Sequence, residues 1–191
     1  DFAAGRFDSW STPVVITPPE VDDKNMCLLS KKIGGQYMLL HRIGRQICAD
    51  FLPDLDFTKG RVTRCVEIMG PRSGMWDSEK IGIAAPPLLT KEGWLLIYHG
   101  VSKTTTYRLG AALLDTKNPS IVLARTAAPI FEPTEEYERV GQVPHVVFSC
   151  GALIRKDTLF LYYGGADRVV GVATASVKEI LAMLSPKSLR A

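Results

Sequence analysis

At 191 residues the chain is long enough for one domain, at most two, and 46% hydrophobic with 23% charged residues is an ordinary globular composition. A formal charge of +3, with no Lys/Arg-rich run and no basic stripe interleaved with aromatics, argues against nucleic acid as a partner. No apolar stretch approaches the length of a membrane span, and the four cysteines, Cys27, Cys48, Cys65 and Cys150, lack a C-x-x-C spacing, so they read as buried thiols of a reduced, cytoplasmic chain.

The chain opens at Asp1 with neither Met nor a signal peptide, and DFAAGRFDSW (1–10) reads as the middle of a repeat. An open propeller exposes unpaired strand edges, so residues are expected upstream. Strand signals then dominate. GQYMLLHR (35–42), EGWLLIYHG (92–100) and DTLFLYYGG (157–165) each run from a turn into an apolar strand with an aromatic or polar end. Each is followed by a second strand: ICADFL (47–52), YRLGAALLD (107–115) and VVGVATA (169–175). The spacing is about 60 residues, a period that marks propeller blades or stacked arrays. In register, Tyr37, Trp94 and Leu159 are equivalent, as are His41, Tyr98 and Tyr163, and then Arg42, His99 and Gly164. The reading is an all-β chain in one β-propeller domain over 1–191, incomplete at about three blades. Turns are placed at Pro18-Pro19, Gly34-Gly35, Pro53-Asp54, Gly70-Pro71, Pro86-Pro87, Asn118-Pro119 and Gly164-Gly165. SVKEILAMLSP (176–186) is the one helix expected, capped by Ser176, with Ile180, Leu181 and Leu184 on one face and Pro186 after its end.

Equivalent strands of a propeller converge on one axis, which aims Arg42 and His99 into one site. Two donor groups at matching inward positions point to an anion, because a planar guanidinium holds phosphate or carboxylate through two parallel bonds. The competing reading is a structural ion pair with a hydrogen-bonded histidine. Lys80 precedes a rigid Ala-Ala-Pro-Pro segment (84–87) that cannot join a central ladder; taken alone it is a surface lysine. Lys24 follows Asp22-Asp23 and by itself reads as part of a solvated charge cluster. Asp167 follows a glycine pair, as a turn-capping residue or a carboxylate for sugar hydroxyls. His145 at a strand entrance reads as structural. The three histidines have no metal-ligand spacing, and the zincin, nucleophile-elbow and Walker A patterns are absent.

The strings WDSEKIGIAAPPLLTKEGWLLIYHGV, YRLGAALLD, VPHVVFSCGA and LYYGGADRVVGVATA resemble glycoside hydrolase family 130, which contains β-mannoside phosphorylases and some β-1,2-mannosidases. The resemblance runs from Asp1 to the helix near 180. It implies a five-bladed β-propeller of which this chain matches the C-terminal part. It implies phosphorolysis of a β-mannoside to mannose 1-phosphate with inversion, using inorganic phosphate as co-substrate and no cofactor. By the same resemblance Lys24, Arg42, Lys80, His99 and Tyr107 are phosphate contacts and Asp167 a sugar contact. The proton donor is an Asp upstream of all these motifs, matched by no residue here. Two departures are visible: Ala84-Ala85-Pro86-Pro87 stands where Gly-Pro-Pro-Pro is usual, and His145 where Asn is expected. Phosphate is already a nucleophile, so phosphorolysis needs one acid and a set of positive groups, whereas an inverting hydrolase needs a second carboxylate as base. The basic cluster favours the phosphorylase. A β-1,2-mannosidase and a non-catalytic sugar- or phosphate-binding fragment remain as alternatives, with homo-oligomerisation left open.

Overall fold

The computed structural model describes residues 5, 10, 12–59, 61–62 and 64–184. In chain order it forms β1 (Asp23–Leu28), β2 (Tyr37–Ile43), β3 (Gln46–Leu52), β4 (Val66–Met69), β5 (Lys80–Ile83), β6 (Leu88–Leu89), β7 (Trp94–Val101), β8 (Tyr107–Leu114), β9 (Val122–Arg125), α1 (Glu136–Arg139), β10 (Val147–Arg155), β11 (Thr158–Gly165), β12 (Val169–Ser176) and α2 (Val177–Met183). The reading of 1–10 as the middle of a repeat falls almost wholly outside the described residues, as does Pro186.

The strands build three sheets in sequence order: β1-β2-β3-β4, then β5-β7-β8-β9 with β6 also on β7, then β10-β11-β12. Every pairing between named strands is antiparallel, so the all-β expectation holds. The expected strand pairs are β2–β3, β7–β8 and β11–β12. The repeat register is seen in the partners: Arg42 lies opposite Lys24, His99 opposite Gly82, and Gly164 opposite Phe148.

Alternation along β7 explains the packing. All eight of its residues are buried, because its sheet lies between the other two. Trp94, Leu96 and Tyr98 join Met38, Leu40 and Ile47 of the first sheet in one core cluster. Leu95 and Ile97 join Val147, Leu159 and Leu161 of the third sheet in another. A period of two thus gives one strand two apolar faces. Ala84 to Pro87 separates β5 from β6, both of which pair with β7. The prolines interrupt a ladder that resumes beyond them.

The structure corrects three details. Cys48 and Cys65 form a disulfide, while Cys27 is half-buried and Cys150 exposed, so the all-thiol reading fails; spacing in sequence says nothing of the approach that β3 and the lead-in to β4 make in space. Gly164 and Gly165 stay in β11, and the turn falls on Ala166 and Asp167, whose φ angles are 47° and 50°. Gly165 answers to crowding instead, since a Cβ there would lie 3.1 Å from the Tyr137 carbonyl. The helix expected at 176–186 forms with Ser176 accepting from the Glu179 amide at 3.3 Å, but α1 was not foreseen. That single turn is held by Glu138, which accepts from the Thr134 and Glu135 amides (2.8 and 3.0 Å) and from the Tyr163 hydroxyl (2.7 Å).

Candidate anion site

The innermost strands of the three sheets, β1, β5 and β10, meet around a cavity of about 140 Å³ lined by Asn25, Met26, Cys27, Ile83, Phe148 and Ser149 among others. Ala84, Ala85 and Pro86 also line it, and both alanines of that unusual segment are buried. His99 approaches this cavity through Phe148, against which its ring packs.

His99 is the pivot. The residue is 1% exposed, and its ring packs on Phe148 at 4.7 Å between centroids, tilted by 42°, with Tyr107 at 6.1 Å. Its pKa is pushed down to about 3, first by burial and then by the positive charges of Arg42 and Lys80. Both cations therefore lie near His99, as the repeat register requires. Of the two roles open to it, donor or cation, His99 takes the first: the lowered pKa makes it a neutral imidazole that contributes hydrogen-bonding capacity.

Arg42 is 6% exposed and Lys80 half-buried, with its ammonium 5.3 Å from the centroid of the Tyr107 ring. Lys24 is mostly exposed and pairs with Asp22 at 3.0 Å, so its solvated-cluster reading describes its local contact. Asp22 nonetheless reports the wider field. Its carboxyl is held below the ordinary range by the Lys24 hydrogen bond and by the charges of Lys24, Arg42 and Lys80. Lys24, Arg42, Lys80, His99 and Tyr107 are thus one neighbourhood.

Five buried side-chain atoms lack a hydrogen-bond partner among the described residues: Arg42 Nε, His99 Nδ1, Asn25 Oδ1, Asp23 Oδ1 and His41 Nε2. Leaving such an atom unpaired costs about 1–3 kcal/mol. The first three belong to the cluster. The other two belong to a buried pair, His41 Nδ1 to Asp23 at 2.8 Å, on the strands that carry Arg42 and Asn25.

Sequence reasoning missed three contributors. Asn25 sits at a bulge in β1 with φ of 54°, and nothing in DDKN marks the bulge. Gly82 is opposite His99, and a Cβ there would lie 2.5 Å from the imidazole Cε1 and 2.7 Å from Asn25 Oδ1. Phe148 supplies the aromatic wall from the third sheet. Asp167 is not brought into the cluster by any described contact; it occupies the exposed β11–β12 turn. His145, also exposed, anchors the site through its backbone, its carbonyl accepting from the Tyr107 amide at 3.1 Å. Among the described residues no group of three His, Cys, Asp or Glu side chains is placed to hold a metal ion, and no helix is long and apolar enough to cross a membrane.

Residues 9–186 match the model of glycoside hydrolase family 130, described as beta-1,4-mannooligosaccharide phosphorylase. The chain belongs to that family. It is 46% identical over 162 residues to a beta-1,2-mannobiose phosphorylase of Thermoanaerobacter sp. (strain X514), covering 83% of this chain and 51% of that protein. It is 43% identical over 167 residues to a 1,2-beta-oligomannan phosphorylase of the same organism, covering 87% and 54%. In structure it matches the beta-1,2-mannobiose phosphorylase of Listeria innocua in complex with beta-1,2-mannobiose, with a TM-score of 0.80, 39% identity and coverage of 88% and 48%. The chain spans about half the length of these family 130 relatives.

Proposed function

We propose that this chain is the phosphate-holding part of a β-mannoside phosphorylase acting on β-1,2-linked mannosides, and that its three sheets are blades of a five-bladed propeller. The supporting observation is the convergence of Arg42, Lys80 and His99, two of them with buried polar atoms left unpaired. The named activities of the relatives at 43–46% identity support the substrate class. In this reading Arg42, Lys80 and Lys24 offset the charge of a phosphate dianion. Tyr107 and neutral His99 orient it, and Asp167 meets the sugar once the remaining blades are in place.

Phosphate oxygen bonds to the anomeric carbon as the glycosidic C–O bond breaks, and a carboxylic acid gives its proton to the departing oxygen. Attack from the face opposite the leaving group inverts the centre, so a β-mannoside yields α-mannose 1-phosphate. Holding the nucleophile in line lowers the barrier by removing the entropic cost of encounter, and fixed positive groups stabilise charge without reorganising. The acid lies outside this chain. Asp77, the buried carboxylate nearest in sequence to Lys80, is fully enclosed and already accepts from two arginines and a tyrosine, so it has no open face toward a substrate.

The test is to incubate the complete protein with β-1,2-mannobiose with and without inorganic phosphate and follow products by phosphorus NMR. Phosphate-dependent α-mannose 1-phosphate is expected. Free mannose without phosphate would instead give the mannosidase reading. The 191-residue chain alone should not turn the substrate over; if it does, the acid has been misplaced.

A further inference from the structure

A second opening reaches the anion cluster from outside. It is a cleft of about 640 Å³ lined by Arg45, Glu79, Lys80, Lys103, Thr105 and Tyr107, with Val143 and Pro144 on its far rim. Its walls are the β2–β3 turn, the start of β5, the β7–β8 turn and the lead-in to β10, all belonging to this chain. We propose that this cleft is the route by which inorganic phosphate enters the site, and that Lys103 is an outer guide for the anion.

Three features carry the assignment, which rests on the phosphorylase reading above. First, the cleft ends on Lys80 and Tyr107, both members of the anion cluster, and Asp167 does not line it. Whatever passes along it meets the phosphate position rather than the sugar position. Second, its charge is graded. Arg45 at one side is spoken for: it donates to the carbonyls of Ser78 and Glu79 and pairs with the Glu79 carboxylate at 3.6 Å. Lys103 on the turn and Lys80 at the floor have no ion pair among the described residues. With Arg45 and Glu79 offsetting each other, the net field of the cleft is set by the two ammonium groups, and a cleft of net positive charge concentrates anions. Third, the turn that carries Lys103 is braced. Ser102 and Thr104 hydroxyls lie 2.9 Å apart, Thr104 and Thr106 hydroxyls 3.2 Å apart, and Arg108 donates to Ser102 at 3.4 Å. Thr105, a β-branched residue, holds φ of 57°, a conformation that persists only where the surroundings impose it. The lysine is thus presented by a shaped turn rather than a loose one.

The experiment uses the complete enzyme, with phosphate varied at saturating β-1,2-mannobiose and then mannobiose varied at saturating phosphate. Lys103→Ala should raise KM for phosphate about threefold, the scale of a solvent-exposed charge, and Lys103→Glu should raise it further. Both should leave KM for mannobiose and kcat unchanged. The difference from wild type should disappear near 1 M salt, where the screening length is about 3 Å. Lys91→Ala, on the β6–β7 turn, serves as the control for a generic loss of surface charge. A rise in KM for mannobiose instead would make the cleft a sugar subsite and overturn the proposal, as would unchanged constants for both substrates in Lys103→Glu. If wild type consumes mannobiose without phosphate, it is the phosphorylase reading that has failed, and that result is seen before any variant is compared.

Discussion

Two buried charged clusters lie within one residue of each other on β7, and they are built on opposite terms. Around Tyr98 every group is satisfied. Asp77 accepts from Arg72 at 2.8 Å, Arg125 at 2.7 Å and the Tyr98 hydroxyl at 3.0 Å, and Arg125 also donates to the Gly70 carbonyl at 2.7 Å. Trp76 stacks on Tyr98 at 5.6 Å and donates to the Ala127 carbonyl at 2.9 Å. Around His99, one position on, Arg42 Nε, His99 Nδ1 and Asn25 Oδ1 have no hydrogen-bond partner among the described residues. A closed network fixes structure, because each member already has its complement. An open one of like charges gains no stability from its unpaired atoms, and in the function proposed above those atoms are capacity for a ligand.

The largest test of that contrast is Asp77→Ala. It leaves two guanidinium groups facing each other without their shared carboxylate, and breaking a buried ion pair from one side costs about 3–5 kcal/mol. Urea denaturation should show a loss near the lower end of that range, since Arg72 is partly exposed. An unchanged midpoint would mean the closed network is not structural.

Arg42→Ala should behave in the reverse sense. Phosphate affinity, read by calorimetry on the complete protein, should fall by about 1.5–3 kcal/mol, the value of a hydrogen bond to a charged group. Stability should fall by less than in Asp77→Ala. If Arg42→Ala unfolds the protein as readily and leaves phosphate binding intact, the two clusters are of one kind and the distinction collapses.

Gly82→Ala sharpens the geometry. The new methyl meets the imidazole at 2.5 Å and Asn25 at 2.7 Å, so His99 and Asn25 have to shift from their present places. Overpacking of this kind costs about 1–3 kcal/mol, and here KM for phosphate should rise together with the loss of stability. A variant with normal phosphate kinetics would show that His99 and Asn25 do not need to be this close.

These contrasts also mark how far the sequence could be read. Equivalent strands were legible because apolar runs ending in Arg42, His99 and Gly164 recur at a fixed period, whereas their cross-strand partners Gly82 and Phe148 were not, because the sequence reading paired each strand only with the one after it. Asn25 was not, because a bulge is a local change of backbone with no compositional mark. The Asp77 network was not, because Arg72, Asp77, Tyr98 and Arg125 are brought together only by the docking of loop 70–79 on β7 and β9. The disulfide was missed for the same reason. The charge state of His99 was not legible, since it depends on burial, which a strand pattern ranks but does not measure. Asp167 shows the opposite limit: the family resemblance singles it out, and the described residues leave it exposed in a turn.

The smallest effect is the pH dependence that follows from burying His99 uncharged. Its folded pKa, about 3, lies below the ordinary 6.5. Between those values the unfolded chain binds a proton that the folded chain does not, so stability is full above about pH 6.5 and declines as pH falls toward 3. Thermal melts from pH 7 to pH 4 should show that decline, and His99→Gln, neutral throughout, should show a shallower one. Phosphate binding gives the companion signal. Because His99 carries no charge to lose, the affinity of the cluster between pH 6 and 8 should follow the ionisation of phosphate itself, rising as the dianion forms. A fall in affinity across that range, abolished in His99→Gln, would mean the imidazole is protonated in the bound state. His99 would then count among the cations, and the open cluster would hold its anion with one more charge than this geometry gives it.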